Sequence, residues 1–403
     1  MAETRHPNRD AAQPALPELL RPLHSLLAVV AHPDDESFGL GGILAALTGT
    51  GRRVSLLCFT AGEGSTLGAS PELARIRTAE LGAAASTLGV AKHWMEGLPD
   101  GGLAALPDGA LTARIRAAVE LVDPDALITL DRSGVTGHPD HRAASAAALA
   151  VAADTGLPAL EWGLPSGVAE ALAADFGLEM HGMADGELLP ITVDRERHWE
   201  AIRAHLTQSP DNPLLRRRLE MLGDNETLRL VRPPLDHQLA RFVAHAGRWA
   251  RPDADPDDRA RLLDALIGFA THTDMAVWPA ALLADDPHRS YAAHCLHDDP
   301  AGWSLAAIIT ADGSATPPHD HHSWGAAATV AGAERNTRYA GVCPDRLHPL
   351  GQEVVPVGGG YLFAPGDIHQ AADAAGRSVS LHLLAGGVPH PVHQHCPEPA
   401  TAA

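Results

Sequence analysis

The hexapeptide Ala31-His32-Pro33-Asp34-Asp35-Glu36 sets a histidine beside two adjacent carboxylates, directly after an apolar run at 26–30. Neighbouring carboxylates at a sharp turn point in different directions, so one can ligate a metal while the other faces a substrate or a water. Further along, Asp131-Arg-Ser-Gly-Val-Thr-Gly-His138-Pro-Asp140-His141 follows a second apolar run at 126–130. His138 and His141 open the alanine-rich run 142–153, where a spacing of three puts them on one helical face. Together the two segments offer one metal a histidine, a carboxylate and a second histidine. Three protein ligands with an open fourth position are the layout of a catalytic zinc, which lowers the pKa of its bound water to about 7.

A second set lies in Thr316-Pro-Pro-His319-Asp320-His321-His322-Ser-Trp324-Gly325. On a strand, His319 and His321 face the same side while Asp320 faces the other. Pro365-Gly366-Asp367-Ile368-His369 offers a third histidine on a returning strand. Three neutral imidazoles leave a metal's double charge in place and positions open beside it, a state suited to binding a thiolate and dioxygen together. The commoner iron oxygenase set is two histidines and a carboxylate.

The elements needed to hold these residues are legible as pattern. Short apolar runs at 26–30, 54–59 and 126–130 alternate with helical stretches at 42–47, 72–88 and 111–121. This alternation predicts a Rossmann-like α/β architecture, a parallel sheet with flanking helices whose strand ends carry the first set. Further strands are expected at 159–163 and 189–193, with the amphipathic run 198–206 closing this part. Arg232-Pro233-Pro234 reads as an extended connector. Helical periodicity returns at 235–249 and 259–270, and from about residue 290 short strands broken by Gly, Pro and Asp signal an all-β domain. The predicted organisation is a disordered lead-in at 1–21, a first domain at 22–232, a second at 233–388 with N-terminal helices before its β-structure, and a disordered tail at 389–403.

The first domain resembles the LmbE-like, or PIG-L, zinc deacetylases. Beyond the two metal-binding segments the likeness runs through Thr60-Ala-Gly62-Glu63-Gly64, Arg77-Thr-Ala-Glu80-Leu81, Leu98-Pro-Asp100-Gly101, His205-Leu-Thr-Gln208 and Arg218-Leu-Glu220. The resemblance implies that His32, Asp35 and His141 bind zinc, that Asp34 is the general base, and that His138 stabilises the developing oxyanion. Glu63 and Arg77 are candidate substrate contacts, with an orienting acceptor and an ion-pair partner as their alternative roles. Glu36 and Asp140 are expected to orient their neighbours. Some members of the family carry a tyrosine two residues before the His138 position, where this chain has Thr136.

The second domain resembles the cupin thiol dioxygenases of the cysteine dioxygenase type, more closely their bacterial mercaptopropionate-like branch, over residues 235–388. The motifs are Tyr291-Ala-Ala-His294-Cys-Leu-His297, the His-Asp-His run, Gly332-Ala-Glu334-Arg335, Gly366-Asp367-Ile368-His369 and Ser380-Leu-His382. The likeness implies a double-stranded β-helix, ferrous iron on His319, His321 and His369, dioxygen as co-substrate, Ser380 and His382 as a relay beside the metal, and Tyr291 at the substrate. Two positions depart: the relay tyrosine of the family is replaced by Leu384, and its carboxylate-binding Arg or Gln by Ala293. A larger or differently charged thiol fits the second departure.

Composition limits the alternatives. With 50 acidic against 30 basic residues and a formal charge of −20, the surface repels phosphate backbones and excludes nucleic acid as a partner. The four cysteines, Cys58, Cys295, Cys343 and Cys396, are scattered single thiols of a reducing compartment rather than a disulfide framework. The first residues lack a signal-type apolar stretch, and no run reaches the roughly 18 apolar residues of a membrane span. The sequence therefore predicts a cytoplasmic protein. Its leading function is an iron thiol dioxygenase converting a low-molecular-weight thiol, with ergothioneine and a mycothiol-type thiol as candidates, to a sulfinic acid. The zinc-dependent N-deacetylase or amidase fused to it would act in the same thiol metabolism. The alternative is that the zinc hydrolase is the sole enzyme and the cupin a binding or regulatory module.

Overall fold

The protein is described from a computed structural model, covering residues 16–210, 212–274, 278, 291–341, 347–374 and 376–386, with the backbone of 390–391. It divides into two compact units, Met1–Pro233 and Pro234–Ala403.

The first unit is built on strands β1 (Ser25–Val30), β2 (Arg53–Thr60), β3 (Lys92–Leu98), β4 (Ala126–Leu130) and β5 (Ala159–Trp162), a short pair β6 (Leu164–Pro165) and β7 (Gly182–Met183), then β8 (Leu189–Thr192) and β9 (Asn225–Val231). All but the short pair form one seven-stranded sheet in the order β3-β2-β1-β4-β5-β9-β8. The first five are mutually parallel, and β9 and β8 add antiparallel at the edge. The connections are α1 (Asp35–Phe38), α2 (Gly41–Gly49), α3 (Leu73–Leu88), α4 (Ala110–Val122), α5 (Gly134–Gly137), α6 (Pro139–Thr155), α7 (Ser166–Phe176), α8 (Arg195–Ala204) and α9 (Pro213–Leu222).

Strand β1 explains the two-faced burial. Leu26, Ala28 and Val30 join one apolar cluster with Ile43, Leu44 and Leu81, while Leu27, Val29 and Ala31 join another with Ile115, Ala148 and Val151. A parallel strand covered by helices on both faces reads as a continuous apolar run for this reason.

Two expectations need correction. Residues 16–21 are not a disordered lead-in: a 3-10 turn at Glu18–Leu20 drops Leu16 and Leu20 into the first cluster. Residues 1–15 lie outside the described residues. The run at 198–206 does not close the unit, because α9 and β9 follow it and β9 pairs between β5 and β8. The expected parallel sheet holds over its first five strands, and β9 runs antiparallel to β5 beside them.

The second unit begins with α10 (Leu235–Ala246) and α11 (Pro256–His272). Its strands are β10 (Tyr291–Asp298), β11 (Ser304–Thr310), β12 (His319–Asp320), β13 (Gly325–Ala331), β14 (Ala333–Ala340), β15 (His348–Pro356), β16 (Gly360–Phe363), β17 (Ile368–Asp373), β18 (Ser378–Leu384) and β19 (His390–Pro391). They form two five-stranded antiparallel sheets, β10-β11-β18-β13-β16 and β15-β14-β17-β12-β19. Alternation along β18 sorts the faces: Val379, Leu381 and Leu383 pack with Leu262, Leu266 and Phe269 of α11. Ser380 and His382 face the other way, toward Glu334 of β14. The predicted disordered tail contributes β19, whose backbone pairs with His319 and Asp320; its remaining residues lie outside those described. Among the described residues no helix is long and apolar enough to cross a membrane.

Candidate metal centres

In the first unit, His32 follows the end of β1, and the chain then turns so sharply that Asp34 takes φ 128°, ψ −26°. That conformation costs a non-glycine residue about 1–3 kcal/mol and persists only where its surroundings impose it. Here the Asp34 backbone N–H donates to Glu36 Oε2 at 2.9 Å, and the buried Glu36 accepts from His205 Nε2 at 2.6 Å. The turn sends the two carboxylates apart. Asp35 Oδ1 lies 3.1 Å from His141 Nε2, and Asp35 Oδ2 lies 3.7 Å from His32 Nδ1. His32 Nδ1 and His141 Nε2 are 3.1 Å apart. Asp34 instead accepts from Arg77 Nη2 at 2.8 Å.

Hydrogen bonds fix which imidazole nitrogens are free. His141 Nδ1 donates to the Gly134 carbonyl at 3.2 Å, leaving the Nε2 lone pair directed at Asp35 and His32. His32 Nε2 faces Asp100 Oδ1 at 3.1 Å and Asp140 Oδ2 at 3.4 Å, leaving Nδ1 as its coordinating atom. His138 behaves differently. It is the N-cap of α6, and its Nδ1 accepts the Asp140 backbone N–H at 3.2 Å, so the ring proton sits on Nε2 and this nitrogen is a donor. Its ring lies 4.9 Å from those of both His32 and His141, close enough to be counted with them as a donor cluster. The commitment of its lone pair to the helix N-terminus is the reason we separate it from them.

Electrostatics follows the packing. Burial, then the neighbouring Asp35, pushes Asp34 up to about 7 against the opposing pull of Arg77. Burial would also raise Asp35, but His141 and His32 more than offset it and hold it well below the usual carboxylate range. For His32, burial is outweighed by Asp100, Asp35 and Asp34, which lift it to about 9. Burial with the other two imidazoles lowers His138. All these groups except Asp140 line a cavity of about 520 Å³, as do Arg77 and Thr136.

Arg77 is buried, and its two terminal nitrogens donate to Asp34 and to the Gly62 and Pro33 carbonyls. Gly62, at φ +66°, is required there, since a Cβ would stand 2.0 Å from Arg77 Nη1. Glu63 is exposed, is absent from the cavity wall and accepts the Asp100 backbone N–H at 3.0 Å. Asp100, which sequence reasoning left without a role, is the acceptor for His32 and also receives the Gly64 N–H at 2.8 Å. Its place in the Pro-Asp-Gly turn at 99–101, directly after β3, was the available signal.

In the second unit, β12 and β17 pair with His319 opposite His369. His321 follows β12, and its Nε2 lies 3.0 Å from His369 Nε2. The ring centroids of the three histidines are 4.6–5.1 Å apart. His369 Nδ1 donates to Asn336 Oδ1 at 3.2 Å and His319 Nδ1 to the Pro317 carbonyl at 2.9 Å, which leaves Nε2 of each as a lone pair. Burial depresses all three, His382 adding to it, and His319 lowers the other two further, His321 to about 3, so neutral imidazoles face one another.

His382, whose ring lies 6.4 Å from that of His369, places Nε2 3.1 Å from Ser380 Oγ and 3.2 Å from Glu334 Oε2. Tyr361 donates to Glu334 Oε1 at 2.7 Å. Leu384, at the position of the missing relay tyrosine, packs in one apolar cluster with Tyr361, so a phenol from β16 reaches the buried network instead. Glu334 and Tyr361 were missed as site residues because separate strands bring them in. Tyr291 sits half-buried at the start of the edge strand β10, opposite Thr310 and separated by β11 from β18. Cys295 and Cys58 are free thiols; Cys343 and Cys396 lie outside the described residues.

Comparison with known proteins places the first unit among relatives. The PIG-L family model, GlcNAc-PI de-N-acetylase, matches residues 27–152. The 1D-myo-inositol 2-acetamido-2-deoxy-alpha-D-glucopyranoside deacetylase of Mycolicibacterium vanbaalenii is 33% identical over 292 residues, covering 61% of this chain and 98% of the relative. The enzyme of the same name from Nakamurella multipartita is 30% identical, covering 45% of this chain and 79% of its own. Among solved structures, the N,N'-diacetylchitobiose deacetylase of Pyrococcus horikoshii matches 54% of this chain and 87% of its own, at 24% identity and a TM-score of 0.42.

Proposed function

We propose, from the premise that the chain belongs to the PIG-L (GlcNAc-PI de-N-acetylase) family, that its first unit is a zinc-dependent N-deacetylase of an amino-sugar conjugate like the one its inositol-linked relatives are named for. The carrying observation is the triangle of His32 Nδ1, Asp35 and His141 Nε2, with edges of 3.1–3.7 Å. Tetrahedral bonds of about 2.0–2.1 Å put ligand atoms roughly 3.3 Å apart, so the donor set fits zinc. The acceptors behind each imidazole, Asp100 and the Gly134 carbonyl, are the partners such ligands need.

Zinc held there would polarise the acetamide carbonyl and lower the pKa of a water to about 7. Asp34 takes a proton from the attacking water and passes it to the leaving nitrogen, so that a C–O bond forms, the C–N bond breaks, and acetate and the free amine result. Its elevated proton affinity suits both halves of this task at neutral pH. Arg77 holds Asp34 in place. His138 donates through Nε2 to the oxygen on which negative charge develops. The reading is checked by acetate release from N-acetylglucosaminyl-inositol by zinc-loaded protein. Asp34→Ala is expected to lower turnover about 10²–10⁴-fold with zinc content unchanged, and unaltered turnover would remove Asp34 from the mechanism.

This reverses the order of the two activities expected from sequence, because the family evidence bears on the hydrolase. A second reading for the other unit is supported by three neutral imidazoles converging beside a buried Ser380–His382–Glu334 network. Ferrous iron on His319, His321 and His369 would offer open positions for a thiol and dioxygen, and the product would be a sulfinic acid. Oxygen uptake by iron-loaded protein across a panel of small thiols, including ergothioneine and mycothiol, decides it. No uptake with any thiol leaves the unit as a binding or regulatory module.

A further inference from the structure

The ladders of the second unit sort its strand residues by face. Glu334 of β14 meets His382 of the opposite sheet and Asn336 meets His369, so the face of β14 that carries them looks inward, between the sheets. Side chains alternate along a strand, which puts Arg338 on the same inner face. The register is more specific. Arg338 stands directly opposite His369, and His369 stands directly opposite His319 on its other side. A guanidinium and two of the three clustered imidazoles therefore form one row across β14, β17 and β12. Directly opposed residues hold their Cβ atoms about 4.5–5.5 Å apart, within the span of an arginine side chain. On its other flank Arg338 pairs with Gly351 of β15, where an added Cβ would meet nothing within 4 Å. Arg338 is exposed, so this end of the row is open to an entering molecule.

No other strand position duplicates it. Among the described strand residues of this unit the one other arginine is Arg335, and there is no lysine. Arg335 pairs with the exposed Val354 and lies on the outer face of the same strand. Across the interior, Ser380 and His382 face inward from β18, and the ladder through Ile308 puts Ala293 on their face, where it offers a methyl group. Of the inner-face carboxylates, Glu334 is held by His382 and Tyr361, and Glu353 stands opposite Asn336. An exposed ion pair from Glu353 to Arg338 would be weak enough for a ligand to displace.

We propose that Arg338 is the anion anchor of the second metal site, holding the carboxylate of a ligand whose thiol end reaches a metal on His319, His321 and His369. The metal and the thiol rest on the second reading above, whereas the anchor rests on the row. A planar guanidinium takes a carboxylate through two parallel N–H donors, and its place beside His369 sets how far that carboxylate stands from the sulfur. Because β14 belongs to the sheet that carries the imidazoles, the carboxylate is drawn to their side, leaving the face of Ser380 and His382 for the rest of the ligand.

Anaerobic calorimetric titration of iron-loaded, full-length protein tests this with two pairs of probes. Mercaptopropionate is set against 3-mercaptopropanol, and ergothioneine against 2-mercaptoimidazole, each acid beside a counterpart without its carboxylate. The wild type is expected to bind at least one acid about tenfold or more tightly than its counterpart, the worth of a charge-assisted hydrogen bond. Arg338→Met should bring that ratio to within about twofold with iron content unchanged, and Arg338→Lys should return part of it. Arg335→Met makes the same change of charge on the outer face and should keep the ratio. A wild type without preference for either acid, an Arg338→Met protein that keeps one, or an equal loss in Arg335→Met overturns the anchor, as does failure of every probe to bind. Oxygen uptake is read separately: a ratio that collapses in Arg338→Met while no thiol is consumed supports the anchor and removes the dioxygenase.

Discussion

At the scale of single residues, the chemistry depends on which nitrogen of each imidazole is free, and that is decided by groups behind the ring. His32 turns Nδ1 toward Asp35 because Asp100 holds Nε2. Replacing Asp100 with asparagine preserves shape and the capacity to accept from Gly64, but removes the charge that orients and polarises His32. Zinc affinity is expected to weaken about 10–100-fold, measured by competition with a chelator, with the fold unchanged in circular dichroism. Equal affinity would show that His32 needs no such partner. The proposed ligand set could be read from His-Pro-Asp-Asp and His-Pro-Asp-His because those residues are neighbours in sequence. Asp100, Glu334 and Tyr361 were not, since each reaches its site from a different strand or turn. Only the folded chain shows that Tyr361 donates to Glu334 and shares an apolar cluster with Leu384.

At the scale of elements, strands buried on both faces announced themselves as apolar runs, whereas β3 and β9 did not. Strand β3 reads Lys-His-Trp-Met-Glu-Gly-Leu and is half-exposed along its length. The edge pairing of β9 reverses direction by a connection that no periodicity encodes. Helix α8 illustrates how close packing sets chemistry. Its His198 comes within 2.7 Å of where a Cβ on Gly41 would lie, so α2 can approach only as glycine. The buried ring donates from Nε2 to the Ser37 carbonyl and accepts at Nδ1 from Arg195, an arrangement only the neutral form can make. Burial lowers it to about 4. The unfolded chain, with an ordinary histidine near 6.5, binds more protons between these values, so stability rises with pH across this window. It is complete above about 6.5 and lost progressively as pH falls toward 4, by about 3 kcal/mol in all. Denaturant unfolding at pH 7 and pH 4.5 should show this loss in the wild type and a smaller one in His198→Gln. An equal pH dependence in the two proteins would assign the acid sensitivity elsewhere.

At the scale of the molecule, each unit has its own apolar core and assembles its own donor set. His32, Asp35 and His141 come from β1 and α6 with their flanking turns, and the other three histidines from the β12–β17 region. The proline pair that marks the division was readable in sequence, since a boundary is a matter of composition rather than of tertiary contact. Separate cores and donor sets imply metal sites that respond independently to substitution, as effects without shared partners add. Full-length protein is therefore expected to hold two metal ions per chain by elemental analysis. His141→Ala should lose zinc while retaining the second metal, and His321→Ala should do the reverse. The double variant should hold neither. Loss of both metals from one substitution would mean that the units depend on each other for folding, and the two activities would then have to be assigned together rather than site by site.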